Sequence, residues 1–106
     1  MDSEKVENNN MVEDVDNLLD LRAKIKSAKK LIVIDFYASW SAPCRLMNPL
    51  IEAMSKGEYS TVLFLKVDID ANEEAAQEYN IDTFPTFIFM KGGKKIGIMK
   101  GPMLTS

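Results

Sequence analysis

The sequence has no histidine and only one cysteine, Cys44, in 106 residues. Without histidine, neither a Ser–His nor a Cys–His catalytic pair can be built, and the commonest zinc ligand is missing, so no metal site is expected. One cysteine excludes an internal disulfide, and a reducing intracellular compartment, the cytoplasm, is the simplest setting. No apolar stretch approaches the roughly 20 residues of a membrane-spanning helix, and no apolar signal core follows Met1, so no membrane partner is expected. Cations are not in excess either. The formal net charge is −3, which argues against nucleic acid as a partner, because phosphate binding draws on surplus Lys and Arg.

What is present is ordinary globular material. Hydrophobic residues make up 46% and charged residues 27%, enough for one domain with a real core. The charge is uneven. Residues 1–20 hold seven acids and one base, a net −6, whereas the rest holds twelve bases and nine acids, a net +3. Met1–Asn10 is nearly devoid of apolar side chains and reads as a solvated acidic tail preceding a domain over residues 11–106.

Periodicity sets the element order. Val15, Leu18, Leu19, Leu21 and Ile25 fit one face of a helix with Arg22, Lys24 and Lys26 outward. Leu31–Tyr37 (LIVIDFY) is apolar, β-branched and aromatic almost throughout, as a strand buried on both faces must be. Leu46, Met47, Leu50, Ile51 and Met54 repeat helically around Pro49, and Gly57 is a plausible stop. Thr61–Val67 is a second buried strand. Asp70–Tyr79 reads as a short helix, with Asp70 and Glu73 at capping-box spacing. Thr86–Met90 is a third strand, Gly92-Gly93 a turn and Lys95–Lys100 a fourth strand. From the first strand onward the order is β-α-β-α-β-β, which argues for an α/β fold with a mixed central sheet flanked by helices.

Trp40-Ser41-Ala42-Pro43-Cys44 lies at a strand-to-helix junction. With cysteine in place of Ser41 it would be W-C-x-P-C opening a helix. The chain resembles the thioredoxin family here, and not here alone. Ile34–Trp40 (IDFYASW), Pro49, Lys66-Val67-Asp68-Ile69-Asp70, Phe84-Pro85-Thr86, Gly92 and Gly101 match that family's ordered motifs over roughly residues 12–102.

The resemblance implies a thioredoxin-like fold and a protein disulfide oxidoreductase working by thiol–disulfide exchange. Position 41 is then the nucleophile's, where a helix N-terminus stabilises a thiolate, and Cys44 is the resolving thiol. Asp35 is the buried acid or base beneath the pair, and Lys66 modulates it. Trp40, Ala42, Pro43, Phe84, a cis Pro85 and Gly101 would form the substrate groove. No cofactor is bound in such proteins; NADPH acts through thioredoxin reductase, which with disulfide-containing proteins makes up the implied partners.

Serine at 41 breaks the cycle. Its hydroxyl is hardly ionised near neutrality, and oxygen cannot replace sulfur in the exchange, so the expectation is an inactive form of the family's enzyme, arising by design or by natural loss. The bland reading of Ser41, a helix cap, is compatible with that. The alternative function is a non-catalytic binding or chaperone module using the same groove. The resemblance also implies a last helix after Gly101, for which Pro102–Ser106 is too short. The expectation is uncovered apolar sheet surface, met by lower stability, a homodimer, a swapped segment or the N-terminal tail.

Overall fold

The structure is a computed structural model, and it describes residues 12–102 apart from Glu58 and Ser60. The expected tail over residues 1–10 and the segment after Pro102 lie outside the described residues. Among the described residues five strands and three helices follow one another: β1 (Val12–Asp14), α1 (Leu18–Ser27), β2 (Ile32–Tyr37), α2 (Ala42–Lys56), β3 (Leu63–Asp68), α3 (Glu73–Glu78), β4 (Thr86–Lys91) and β5 (Lys94–Lys100).

The strands form one mixed sheet in the order β1-β3-β2-β4-β5. β1 and β2 run parallel to β3, with Ile34 registered on Leu65 and Asp35 on Lys66. β4 runs antiparallel to both β2 and β5. β2 is the central strand, and Ile32 through Phe36 are all buried. Alternation along it feeds two cores. Ile32, Ile34 and Phe36 pack with Leu65, Val67 and Ile88 under Leu21 and Ile25 of α1 and Ala75 of α3. Val33 packs with Phe64 and Phe87 under Met47 and Ile51 of α2. Burying each of these large side chains is worth about 1.5–3 kcal/mol.

Local chemistry sets the helix ends. Asn17 caps α1 by accepting the Asp20 N–H at 2.8 Å, and Lys24 pairs with Asp20 at 2.7 Å one turn along. Ser41 caps α2, Pro43 sits in its first turn and Pro49 lies inside it. The Gly57 N–H closes the last turn on the Met54 carbonyl.

Several expectations are corrected. Val15 is not helical: its N–H donates to the Lys66 carbonyl at 3.0 Å, continuing the edge begun by β1, and the helix waits for the Asn17 cap. β1 itself has no sequence signature, because one buried Val in three residues shows no period. Leu19, Leu46 and Leu50 are exposed although their spacing fits the buried stripes. Lys24 is half-buried rather than outward, drawn in by Asp20. The Asp70–Glu73 capping box does not form. α3 starts at Glu73 behind Asn72, which makes no side-chain cap, and the Asp70 carboxylate is engaged elsewhere. On the α2 face, a recess of about 160 Å³ is lined by Leu31, Val33, Met54, Val62 and Phe89, among others.

Candidate active site

β2 points its C-terminal end at the start of α2, and the four residues between Tyr37 and Ala42 turn the chain. The turn is fixed by hydrogen bonds. The Ser41 N–H donates to the Ala38 carbonyl at 3.0 Å, and the Ser41 carbonyl accepts the Arg45 N–H at 3.1 Å. The Ser41 hydroxyl accepts the Cys44 N–H at 3.4 Å, so Ser41 is a helix cap in fact as well as by type. Both residues are buried. Cys44 is only 2% exposed, and its Sγ accepts the Ala38 N–H at 3.4 Å. Ala42 and Pro43, between them, are exposed.

Trp40 stands out from this turn, 62% exposed. Two contacts hold it. Its indole N–H donates to Asp70 Oδ2 at 2.9 Å, and its ring meets Phe84 edge-on with centroids 5.8 Å apart. Phe84 precedes Pro85 through a cis peptide bond. Pro85 is buried, and its carbonyl accepts the Gly101 N–H at 2.8 Å. Gly101 has φ 86°, which a side chain would strain. Trp40, Phe84, Pro85 and Gly101 are thus joined by one chain of direct contacts.

Asp35 is 3% exposed and lies on the sheet face that α2 covers, beside Phe87 on β4 and Lys66 on β3. Its Oδ1 has no hydrogen-bond partner among the described residues. Burial raises its pKa to about 7, and the positive field of Lys66 only partly opposes this. Lys66 Nζ lies 3.9 Å from Asp14 Oδ1 and 5.7 Å from the centre of the Tyr37 ring. Burial also raises the Tyr37 pKa, helped by the negative fields of Asp68 and Asp14 among others.

Two contributors escaped the sequence reading. Asp70, at capping-box spacing in the sequence, instead anchors Trp40, and its N–H donates to Asp68 Oδ1 at 3.0 Å. Asp14 lies in the unrecognised β1 and takes the Lys66 ammonium. A carboxylate just after β3, at the same sheet end as Trp40, was the available signal for the first; nothing signalled the second. Among the described residues no three His, Cys, Asp or Glu side chains gather as metal ligands, and no helix is long and apolar enough to cross a membrane.

A Cys at 44 and a hydroxyl at 41 cannot exchange electrons as a pair. The arrangement retains a buried thiol, a buried carboxyl that titrates near neutrality and an exposed aromatic platform beside a cis proline.

Comparison with known proteins points one way. The Thioredoxin family profile matches residues 12–105. The chain is similar to thioredoxin of Ictalurus punctatus, 42% identical over 93 residues that cover 86% of this chain and 87% of that protein. It is also similar to Thioredoxin-T of Drosophila melanogaster, 40% identical over 92 residues covering 86% of this chain, which span only 59% of that relative's length. The fold superposes on the crystal structure of Fasciola hepatica thioredoxin with a TM-score of 0.81 and 43% identity, covering 84% of this chain and 86% of that one.

Proposed function

The chain belongs to the thioredoxin family, and from that premise we propose that it carries the site of a protein disulfide oxidoreductase with the nucleophile removed at Ser41. The observation that carries this is the Ser41 hydroxyl on the Cys44 N–H, with Cys44 buried below it. In a dithiol cycle the thiolate at position 41 attacks a substrate disulfide. One S–S bond breaks, a mixed disulfide forms and the leaving sulfur takes a proton. The second thiol, deprotonated with help from a nearby base, attacks the mixed disulfide and releases the reduced substrate. Thioredoxin reductase, drawing on NADPH, would restore the dithiol.

In this chain the first step has no sulfur to make it. Cys44 would keep the resolving position, Asp35 the acid–base position and Lys66 its modulator. Trp40, Ala42, Pro43, Phe84, Pro85 and Gly101 would form the groove for an extended substrate segment. A cytoplasmic, reducing setting suits a chain with one thiol. An intermolecular disulfide through Cys44, as a route to a homodimer, is opposed by its burial. The test is Ser41→Cys. The variant should gain dithiothreitol-driven reduction of insulin disulfides that the present chain lacks. Continued inertness of a folded variant would count against the assignment.

A second reading is favoured by the exposure of Trp40 and its two-point anchoring. The groove would serve as a redox-independent binding or chaperone surface. On that reading, capture of an unfolded client survives Cys44→Ser and is lost with Trp40→Ala.

A further inference from the structure

Two stretches of the chain carry cations and no anions. Residues 26–34 contain Lys26, Lys29 and Lys30, and residues 83–102 contain Lys91, Lys94, Lys95 and Lys100, with no Asp or Glu in either. The sheet lays these stretches side by side. Ile32 registers with Met90, Met90 with Lys95, and Lys91 with Lys94. Lys26 lines the same groove as Gly92 and Gly93. All but Lys100 therefore lie around the β4–β5 turn, at the sheet end opposite Trp40, whereas Lys100 registers with Thr86 at the Trp40 end. All are exposed, and all except Lys100 are without a carboxylate partner among the described residues; Lys100 reaches Asp82 at 3.4 Å.

The strand beside this cluster is open. β5 is the last strand in the sheet order, and its outer edge has no neighbour among the described residues. It presents Ile96, 61% exposed, and Ile98, 42% exposed, over a seven-residue length. An open apolar edge is a template for strand addition. A second copy paired there would bring lysine against lysine, which like-charge repulsion penalises. An acidic strand meets the opposite condition.

We propose that β5 is a docking edge for an extended, acidic polypeptide segment, which adds a sixth strand by main-chain pairing while its carboxylates meet Lys91, Lys94 and Lys95. Main-chain hydrogen bonds supply the affinity, Ile96 and Ile98 take apolar side chains, and the charges select the partner. Nucleic acid fits less well, because the exposed large aromatics among the described residues, Trp40 and Tyr59, lie outside this hairpin. An anionic bilayer would meet the charge but leave the backbone edge without partners. The Lys91, Lys94 and Lys95 cluster lies at the sheet end away from Ser41, although β5 runs on to Gly101 beside Pro85, and the proposal does not depend on the reading of Ser41.

The probe is a fluorescein-labelled, end-blocked peptide of sequence EVEVEVE, titrated into the full chain and followed by anisotropy and backbone amide NMR. Saturable binding is expected, with shifts at Ile96–Lys100. Lys94→Glu combined with Lys95→Glu should weaken it at least about tenfold, and 0.5 M salt should do the same. A peptide of the same charge with a central proline should bind much more weakly, because it cannot pair as a strand. Should the charge-reversed protein misfold by circular dichroism, Lys94→Gln with Lys95→Gln replaces it and should weaken binding by a smaller factor. The proposal is overturned if EVEVEVE fails to bind at millimolar concentration, or if the lysine variants bind it unchanged. It is equally overturned if the proline peptide binds as well, or if phosphatidylserine vesicles or a single-stranded oligonucleotide are held more tightly.

Discussion

Lys66 and Asp35 sit opposite each other on adjacent parallel strands, yet the Lys66 ammonium pairs with Asp14 at 3.9 Å and Asp35 Oδ1 has no hydrogen-bond partner among the described residues. The cation's field reaches Asp35 without a contact. Desolvation therefore dominates and holds the carboxyl at a pKa of about 7, against 3.8 for the free group. A raised carboxyl pKa makes the folded state bind a proton that the unfolded state has already lost. Stability is then undiminished below about pH 4, falls as pH rises towards 7, and levels off above it.

Urea denaturation at pH 5 and pH 8 should therefore show the chain less stable at pH 8. Asp35→Asn should flatten the difference and stabilise the protein at pH 8 by a few kcal/mol at most, less the cost of a buried amide. Asp20 and Asp82 are held below the ordinary range, Asp20 chiefly by the Asp16 N–H and Asp82 chiefly by the Thr83 hydroxyl. They titrate below this window and leave it clear. Asp14→Asn offers a second reading of the same relationship. With its partner neutral, Lys66 should turn to Asp35, and the Asp35 carboxyl carbon should titrate at lower pH by NMR. An unmoved midpoint would refute the competition.

Ser41→Ala separates the capping role of the hydroxyl from the lost sulfur. Removing a helix cap costs about 0.5–2 kcal/mol, and the long 3.4 Å bond to the Cys44 N–H places this one at the low end. A drop of a few degrees in Tm is expected, about 4–8 °C per kcal/mol for a domain of this size. An unchanged melting curve would mean that the hydroxyl caps nothing in solution.

Cys44 should be a slow thiol. It is 2% exposed and takes the Ala38 N–H on its sulfur, so a reagent reaches it only through local opening of the α2 start. Labelling by DTNB should run at least on the order of 100-fold slower in the native protein than in urea. Equal rates would show that the buried position is not the one occupied in solution.

The parts of the molecule legible in sequence are those where one residue class repeats. β2 announces itself because burial on both faces demands apolar side chains at nearly every position, and the helix after it because Met47, Ile51 and Met54 recur at its period. Ser41 and Cys44 were legible as a pair because Trp40 and Pro43 frame them. Relationships between distant residues were not. Asp70 sits thirty positions from Trp40, and only the return of β3 beside β2 brings the carboxylate to the indole. Leu46 and Leu50 misled because an apolar residue on a helix carries no mark of which face finds a sheet. The β1 edge stayed hidden because three residues cannot display a period.

That unread contact supports the last prediction. Trp40 is the only tryptophan, so its fluorescence reports on its own anchoring. Asp70→Ala removes the acceptor at 2.9 Å and leaves the edge-on Phe84 contact as the other restraint on the ring among the described residues. The indole should then sample more orientations, giving a shift in emission and faster quenching by acrylamide. Because the pair is at the surface, stability should fall by no more than about 1 kcal/mol. Asp70→Asn keeps an oxygen acceptor but loses its charge, so it should fall between the two. If emission and quenching are the same in all three proteins, Phe84 alone positions Trp40, and Asp70 is a bystander to the groove.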